Sequence, residues 1–214
     1  MNATNSAPDA LLLLAPGCAH CPLILVALSD LLKRGVIGRL EAVNIATHPE
    51  IAQQHGVRSV PWLRMGEFEL SGVRTAAELE RWAQLSGSVQ GRADYLAELL
   101  KGGMLNQATA VVDASEAYVE ALLVLLADSE TDMHVQVGVG ALFEHLQGSA
   151  VLRHYVQALG ALTLHADTRV RADACHYLRL SGDADAMRFI NPLLNDVDAQ
   201  VREIARDSKA ELES

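Results

Sequence analysis

The sequence predicts an α/β domain followed by an all-α domain of helical repeats, and three observations carry that prediction. Residues 8–87 alternate apolar runs of strand length with helical stretches. Beyond residue 91 the strand pattern disappears. Within residues 92–214, the segments DMHVQVGVGA (132–141), DTRVRADACH (167–176) and DAQVREIARD (198–207) align with one another without gaps.

The first domain opens on ALLLLAP (10–16), a short apolar run stopped by Pro16 and Gly17, which reads as a buried strand. Ala19 to Arg34 reads as a helix that is apolar nearly all round. Lys33 and Arg34 occupy its last turn and Gly35 follows, a normal C-terminus. RLEAVNIA (39–46) alternates and predicts a second strand. THPE (47–50) has capping-box spacing and predicts a short helix that stops at Gly56. SVPWLRM, a turn at Gly66-Glu67 and FELSG predict a hairpin, with Pro61 at the first strand position, where its missing N–H is tolerated. TAAE (75–78) is a second capping box and opens a helix through Leu85, while SGSVQG (86–91) reads as a linker. The order β-α-β-α-β-β-α makes a small mixed sheet covered by helices.

In the second domain the aligned segments share Asp132, Asp167 and Asp198, then Val135, Val170 and Val201, then Val139, Ala174 and Ala205. The last two also share Arg171 and Arg202. Aspartate at an N-cap suits the first orphan amides of a helix, and the Val-x-x-x-Ala spacing makes one apolar stripe. AVLRHYVQALGAL (150–162) and AMRFINPLLND (186–196) supply second helices. One such pair is too thin to bury its own stripe, so neighbours must stack. The repeat resembles HEAT repeats, clearly over about 132–214 and more weakly over 92–131, where divergent helices would cap the array.

Two of the three cysteines, Cys18 and Cys21, stand in PGCAHCP (16–22). Three positions apart at a helix start, their Cα atoms would approach to roughly 5–5.5 Å, within disulfide range. Free N–H groups and the helix dipole there stabilise a thiolate on Cys18, and Pro22 still falls in the first turn. A zinc site would need two further ligands, and neither a second C-x-x-C nor an H-x₃₋₅-H pair lies near; two structural thiols are the third reading. No metal or other cofactor is expected.

The surroundings of the pair resemble the thioredoxin fold throughout residues 8–87, in the shorter, glutaredoxin-like version that lacks a preceding β-α unit. VNIATHPEIAQQHGVRSVPW (43–62) is similar to the stretch that leads thioredoxins to a cis-proline facing the active site. The resemblance implies a cis Val60–Pro61 bond beside Cys18, with the Val60 backbone pairing with a bound peptide and Trp62 either flooring that groove or packing under the sheet. Ala19-His20 resembles the Cys-x-His-Cys centre of DsbA-type oxidases and protein disulfide isomerases, where the histidine stabilises the reduced form. Gly17 stands where thioredoxins usually place a tryptophan, and Leu12 where they bury a carboxylate. The site implied is Cys18 as exchanging thiol, Cys21 as resolving thiol, His20 tuning Cys18, and Val60, Pro61 and Trp62 binding substrate.

Charge is uneven: residues 1–87 carry seven Lys/Arg and eight Asp/Glu, residues 88–214 ten and nineteen. An acidic second half argues against nucleic acid or an anionic membrane surface as partner. MNATNSAPDA carries no basic residue and LLLL is too short for a signal-peptide core or a membrane span, so a cytoplasmic location is the expectation. Cys175 reads as a small core residue, and His134, His145, His154, His165 and His176 share no metal-ligand spacing. Together these observations imply a cytoplasmic thiol–disulfide oxidoreductase acting on protein partners, with the helical array choosing the client or docking a further protein. The competing reading is a non-catalytic adaptor whose thioredoxin-like domain is a binding module.

Overall fold

A computed structural model describes residues 7–213, so the MNATNS segment and any leader reading placed on it lie outside the described residues. The chain divides into two compact units, Met1–Gly91 and Arg92–Ser214.

The first unit contains β1 (Asp9–Leu14), α1 (Cys21–Lys33), β2 (Arg39–Asn44), α2 (Pro49–Gln54), β3 (Trp62–Met65), β4 (Phe68–Ser71) and α3 (Ala76–Leu85). The strands form one sheet in the order β2-β1-β3-β4. β1 runs parallel to β2, with Leu12 opposite Ala42, and antiparallel to β3, with Leu13 opposite Trp62. Because β1 is central, its leucines are buried on both faces: neither Leu12 nor Leu13 is exposed at all. One face presents Ala10, Leu12, Leu63, Met65, Phe68 and Leu70, all buried. Phe68 meets Trp82 of α3 edge to face at 5.1 Å. The buried stripe of α1 is Cys21, Ile24, Leu28 and Leu31, and that of α3 is Leu79, Trp82 and Ala83. The registers also place the carboxyl ends of β1 and β2, the start of α1 and the entry to β3 at one edge of the sheet. Ligand sites in open α/β sheets form at such an edge.

Three local expectations require correction. The first helix begins at Cys21, two residues beyond Ala19, because residues 19–20 form a bend; the Cys21 N–H meets the Cys18 sulfur at 3.2 Å. THPE makes no capping box. Thr47 Oγ1 donates to the Asn44 carbonyl, Glu50 pairs with His48, and His48 precedes α2 with no side-chain cap. The TAAE box does form, with Thr75 and Glu78 exchanging both bonds. The stretch 86–91 is not all linker: α4 starts at Val89, where Ser88 Oγ accepts the Gly91 N–H at 2.9 Å. Gly91 owes its place to packing, since a Cβ there would lie 2.2 Å from the Leu85 carbonyl oxygen.

The second unit is helical: α4 (Val89–Lys101), α5 (Leu105–Ala114), α6 (Ala117–Ala127), α7 (Met133–His145), α8 (Ala150–His154), α9 (Val156–Leu162), α10 (Thr168–Leu180), a 3₁₀ turn at Ala184–Ala186, α11 (Met187–Leu193) and α12 (Ala199–Leu212). Residues 150–162, predicted as one helix, break at Tyr155, whose hydroxyl donates to the Glu116 carbonyl. Asp132, Asp167 and Asp198 cap α7, α10 and α12, each accepting the N–H two residues on, at 2.7–2.9 Å. The valine and small residue of each stripe are buried.

A further correspondence follows each aspartate by four positions. Arg171 donates to the His165 and Ala166 carbonyls, and Arg202 to those of Asp196 and Val197. Gln136, aligned with them, donates to the Thr131 carbonyl at 2.6 Å. A long donor therefore ties the loop carbonyl five residues upstream in all three places. Arg171 also forms a bidentate pair with Asp196, at 2.8 and 2.9 Å, which fastens α10 to the loop before α12.

The side chains of that pair are only 11% and 8% exposed, so removing one partner strands a shielded charge. Arg171→Ala is expected to cost about 3 kcal/mol in urea unfolding at pH 7. The hydrogen bonds from Arg171 hold the Asp196 carboxyl below the usual carboxylate range. A depressed carboxylate stabilises the fold above its unfolded pKa of about 4 and loses that contribution as pH falls through its folded value. The difference between wild type and Arg171→Ala should therefore hold from pH 7 to about pH 5 and shrink as pH falls below about 4.

Candidate active site

The Ala15–Cys21 segment leaves the carboxyl end of β1 through a tight turn. The Cys18 N–H returns to the Ala15 carbonyl at 3.2 Å, and Gly17 adopts φ +80°, a region open to glycine at little cost. Cys18 and Cys21 are joined as a disulfide with Cα atoms 5.5 Å apart. The two sulfurs are not equivalent. Cys18 is half-buried, while Cys21, the first residue of α1, is buried. The backbone N–H of Cys21 points at the Cys18 sulfur, and an N–H donor on a sulfur favours its thiolate once the bond is reduced.

His20 is exposed at the N-cap of α1 and makes no capping bond with its side chain. Leu12, at the position where the resemblance expects a carboxylate, is completely buried. The Val60–Pro61 peptide bond is cis. Pro61 is buried and its carbonyl accepts the Gly72 N–H, whereas no backbone group among the described residues engages the N–H or C=O of the half-buried Val60. Since Trp62 pairs with Leu13, Val60 and Pro61 stand at the sheet edge from which the Cys18 turn emerges. Trp62 is buried and stacks on His55 with ring centroids 5.2 Å apart.

The third cysteine sits elsewhere. Cys175 lies in the helical unit, fully buried, with its thiol directed to Ser208 Oγ at 3.8 Å, and burial pushes its pKa up to about 11. The histidines of that unit are dispersed among separate partners: His134 with Asp132, His145 with Asp113, His154 with Glu116. Among the described residues no three His, Cys, Asp or Glu side chains cluster as metal ligands.

The βαβαββα order, the mixed four-stranded sheet and the cysteine pair at the start of α1 define a thioredoxin-like domain followed by a helical region. Residues 10–84 match the thioredoxin domain family. No curated protein matches the chain. Among the described residues no helix is long and apolar enough to cross a membrane.

With the disulfide reduced, limited alkylation near pH 8 should label Cys18 first, Cys21 later and Cys175 only after unfolding. At a pKa of about 11, roughly one Cys175 in a thousand is thiolate at that pH, and even that fraction is shielded. Mass mapping of the label with time would refute the asymmetry if all three sites filled together.

Proposed function

We propose that the protein is a thiol–disulfide oxidoreductase acting on protein partners. The observation that carries this reading is the unequal pair: a half-buried Cys18 whose sulfur receives the Cys21 N–H, bonded to a Cys21 that is buried at the helix start. In the reducing direction the Cys18 thiolate attacks one sulfur of a client disulfide, and the other client sulfur leaves as a thiolate. Cys21, losing its proton, then attacks Cys18 in the mixed disulfide and releases the second client sulfur. The client gains two electrons and two protons, and the Cys18–Cys21 bond re-forms. The oxidising direction reverses each step.

Val60, whose N–H and C=O no backbone group among the described residues engages, would bind the client chain at the same sheet edge, the role its resemblance to thioredoxins implies. The helical unit is read as a HEAT-like array that selects the client or docks a second protein. The three Asp-capped helices with a shared donor position support that reading. The protein would work in the cytoplasm.

Insulin reduction with dithiothreitol as donor tests the activity. Wild type is expected to accelerate precipitation, Cys18→Ser to fall to the uncatalysed rate, and Cys21→Ser to accumulate a mixed disulfide with a client. Equal rates for wild type and Cys18→Ser would favour the adaptor reading.

The resemblance to Cys-x-His-Cys centres gives His20, exposed two residues from Cys18, the role of favouring the dithiol. The wild-type potential is expected between about −270 and about −120 mV, and His20→Phe should move it downward. Equilibration of both proteins with glutathione measures the shift; no change would remove His20 from the tuning role.

A further inference from the structure

An apolar pocket of about 270 Å³ opens directly beside the disulfide. Its walls include Leu14 from the end of β1, Gly17, both cysteines, and Pro22 and Leu25 from α1. Val60, Pro61 and Trp62 do not line it, so it is separate from the segment assigned to the client backbone. Its volume lies just under the roughly 300 Å³ at which small-ligand clefts begin, so it has room for a large apolar side chain.

No charged side chain lines the pocket, and none follows along α1 until Asp30. Leu23 and Val26 extend the apolar surface outward, 68% and 69% exposed. Large apolar groups left in water next to a reactive sulfur mark a contact surface. The chemistry names what covers it. Any group that exchanges with Cys18 must bring its own sulfur to the Cys18 sulfur, which delivers the residue beside that sulfur to the pocket.

We propose that this pocket makes the site selective for client cysteines flanked by a large apolar residue, and slow toward glutathione. Both residues that flank the glutathione cysteine carry charge, and no charged side chain lines the pocket to pair with them. This inference rests on the oxidoreductase reading. In the oxidising direction a client thiolate attacks the Cys18 sulfur, the Cys18–Cys21 bond breaks, and Cys21 leaves as a thiolate that takes up a proton. A second client thiolate then attacks the client sulfur of the mixed disulfide and frees Cys18, which is protonated in turn. Two client thiols become one disulfide, and the protein disulfide becomes two thiols.

The test uses the full-length oxidised protein and three thiols of matched concentration and pH: N-acetyl-Leu-Cys-amide, N-acetyl-Gln-Cys-amide and glutathione. Acid quenching and mass analysis give the rate of loss of the protein disulfide. The leucyl peptide is expected to react about tenfold faster than the glutaminyl peptide or glutathione, the effect of partly burying one large apolar side chain. Pro22→Glu places a charge on the pocket wall, at an exposed first-turn position where an acidic residue suits the helix. It should bring the leucyl-to-glutaminyl ratio close to one, and Leu25→Ala should lower the ratio too. Any general change in Cys18 reactivity cancels in that ratio. A wild-type ratio near one, or a ratio that neither variant moves, overturns the pocket's role while leaving the oxidoreductase reading in place. Failure of all three thiols and of dithiothreitol to reduce the protein disulfide overturns that reading instead.

Discussion

The first unit depends on the burial of β1 from both sides. A strand with Leu12 on one face and Leu13 on the other, flanked by a parallel and an antiparallel neighbour, cannot slip by a residue without exchanging its two buried sets. That register fixes where the chain emerges. Cys18 is four residues beyond the last residue of β1, and α1 starts three residues later, held over the sheet by Cys21, Ile24, Leu28 and Leu31. The same register sets Trp62 opposite Leu13 and so brings Val60 and Pro61 to the same edge. The chemistry needs no strong local interaction to assemble it, because its two halves are carried on strands that are already paired.

In the helical unit the organising constraint is the polar wiring of the loops. Each of α7, α10 and α12 begins with an aspartate on its own amides, and four residues later a long donor reaches back to the loop carbonyls. Buried or half-buried loop carbonyls left unpaired are costly, so this device lets short loops pack tightly between helices. Arg171 does more than its counterparts by also gripping Asp196 from the next loop, which couples adjacent elements through a charge-assisted pair.

Much of this was legible in the sequence where a residue type carries a local mechanism. The TAAE box, the Gly66-Glu67 turn and the three aspartate caps each act within four residues, and each forms. The cysteine spacing admitted a disulfide, and the resemblance of residues 8–87 to the thioredoxin fold favoured it over a metal site or two structural thiols. What misled was competition for the same groups. Asn44 draws Thr47 away from the cap that THPE spells. Gly91 resembles a flexible joint by composition, yet it is a contact glycine against Leu85, and Ser88 is a cap without the usual acidic companion. Gln136 escaped notice beside Arg171 and Arg202 because the shared property is reach and N–H donation, not charge. The pocket beside the disulfide had no linear signature, since Leu14, Gly17 and Leu25 meet only when β1 and α1 are folded.

The burial of Cys175 has a consequence for the arithmetic of oxidation. A chain with three reactive sulfurs could be trapped with the wrong two joined, or with one left over to couple to a second copy. Enclosed against Ser208 and with its thiol pushed toward the protonated form, Cys175 is removed from that competition and from stepwise oxidation to sulfenic and sulfinic acids. If the Cys18–Cys21 pair exchanges as proposed, the protein has one electron pair to gain or lose, and its redox condition is a single yes-or-no variable.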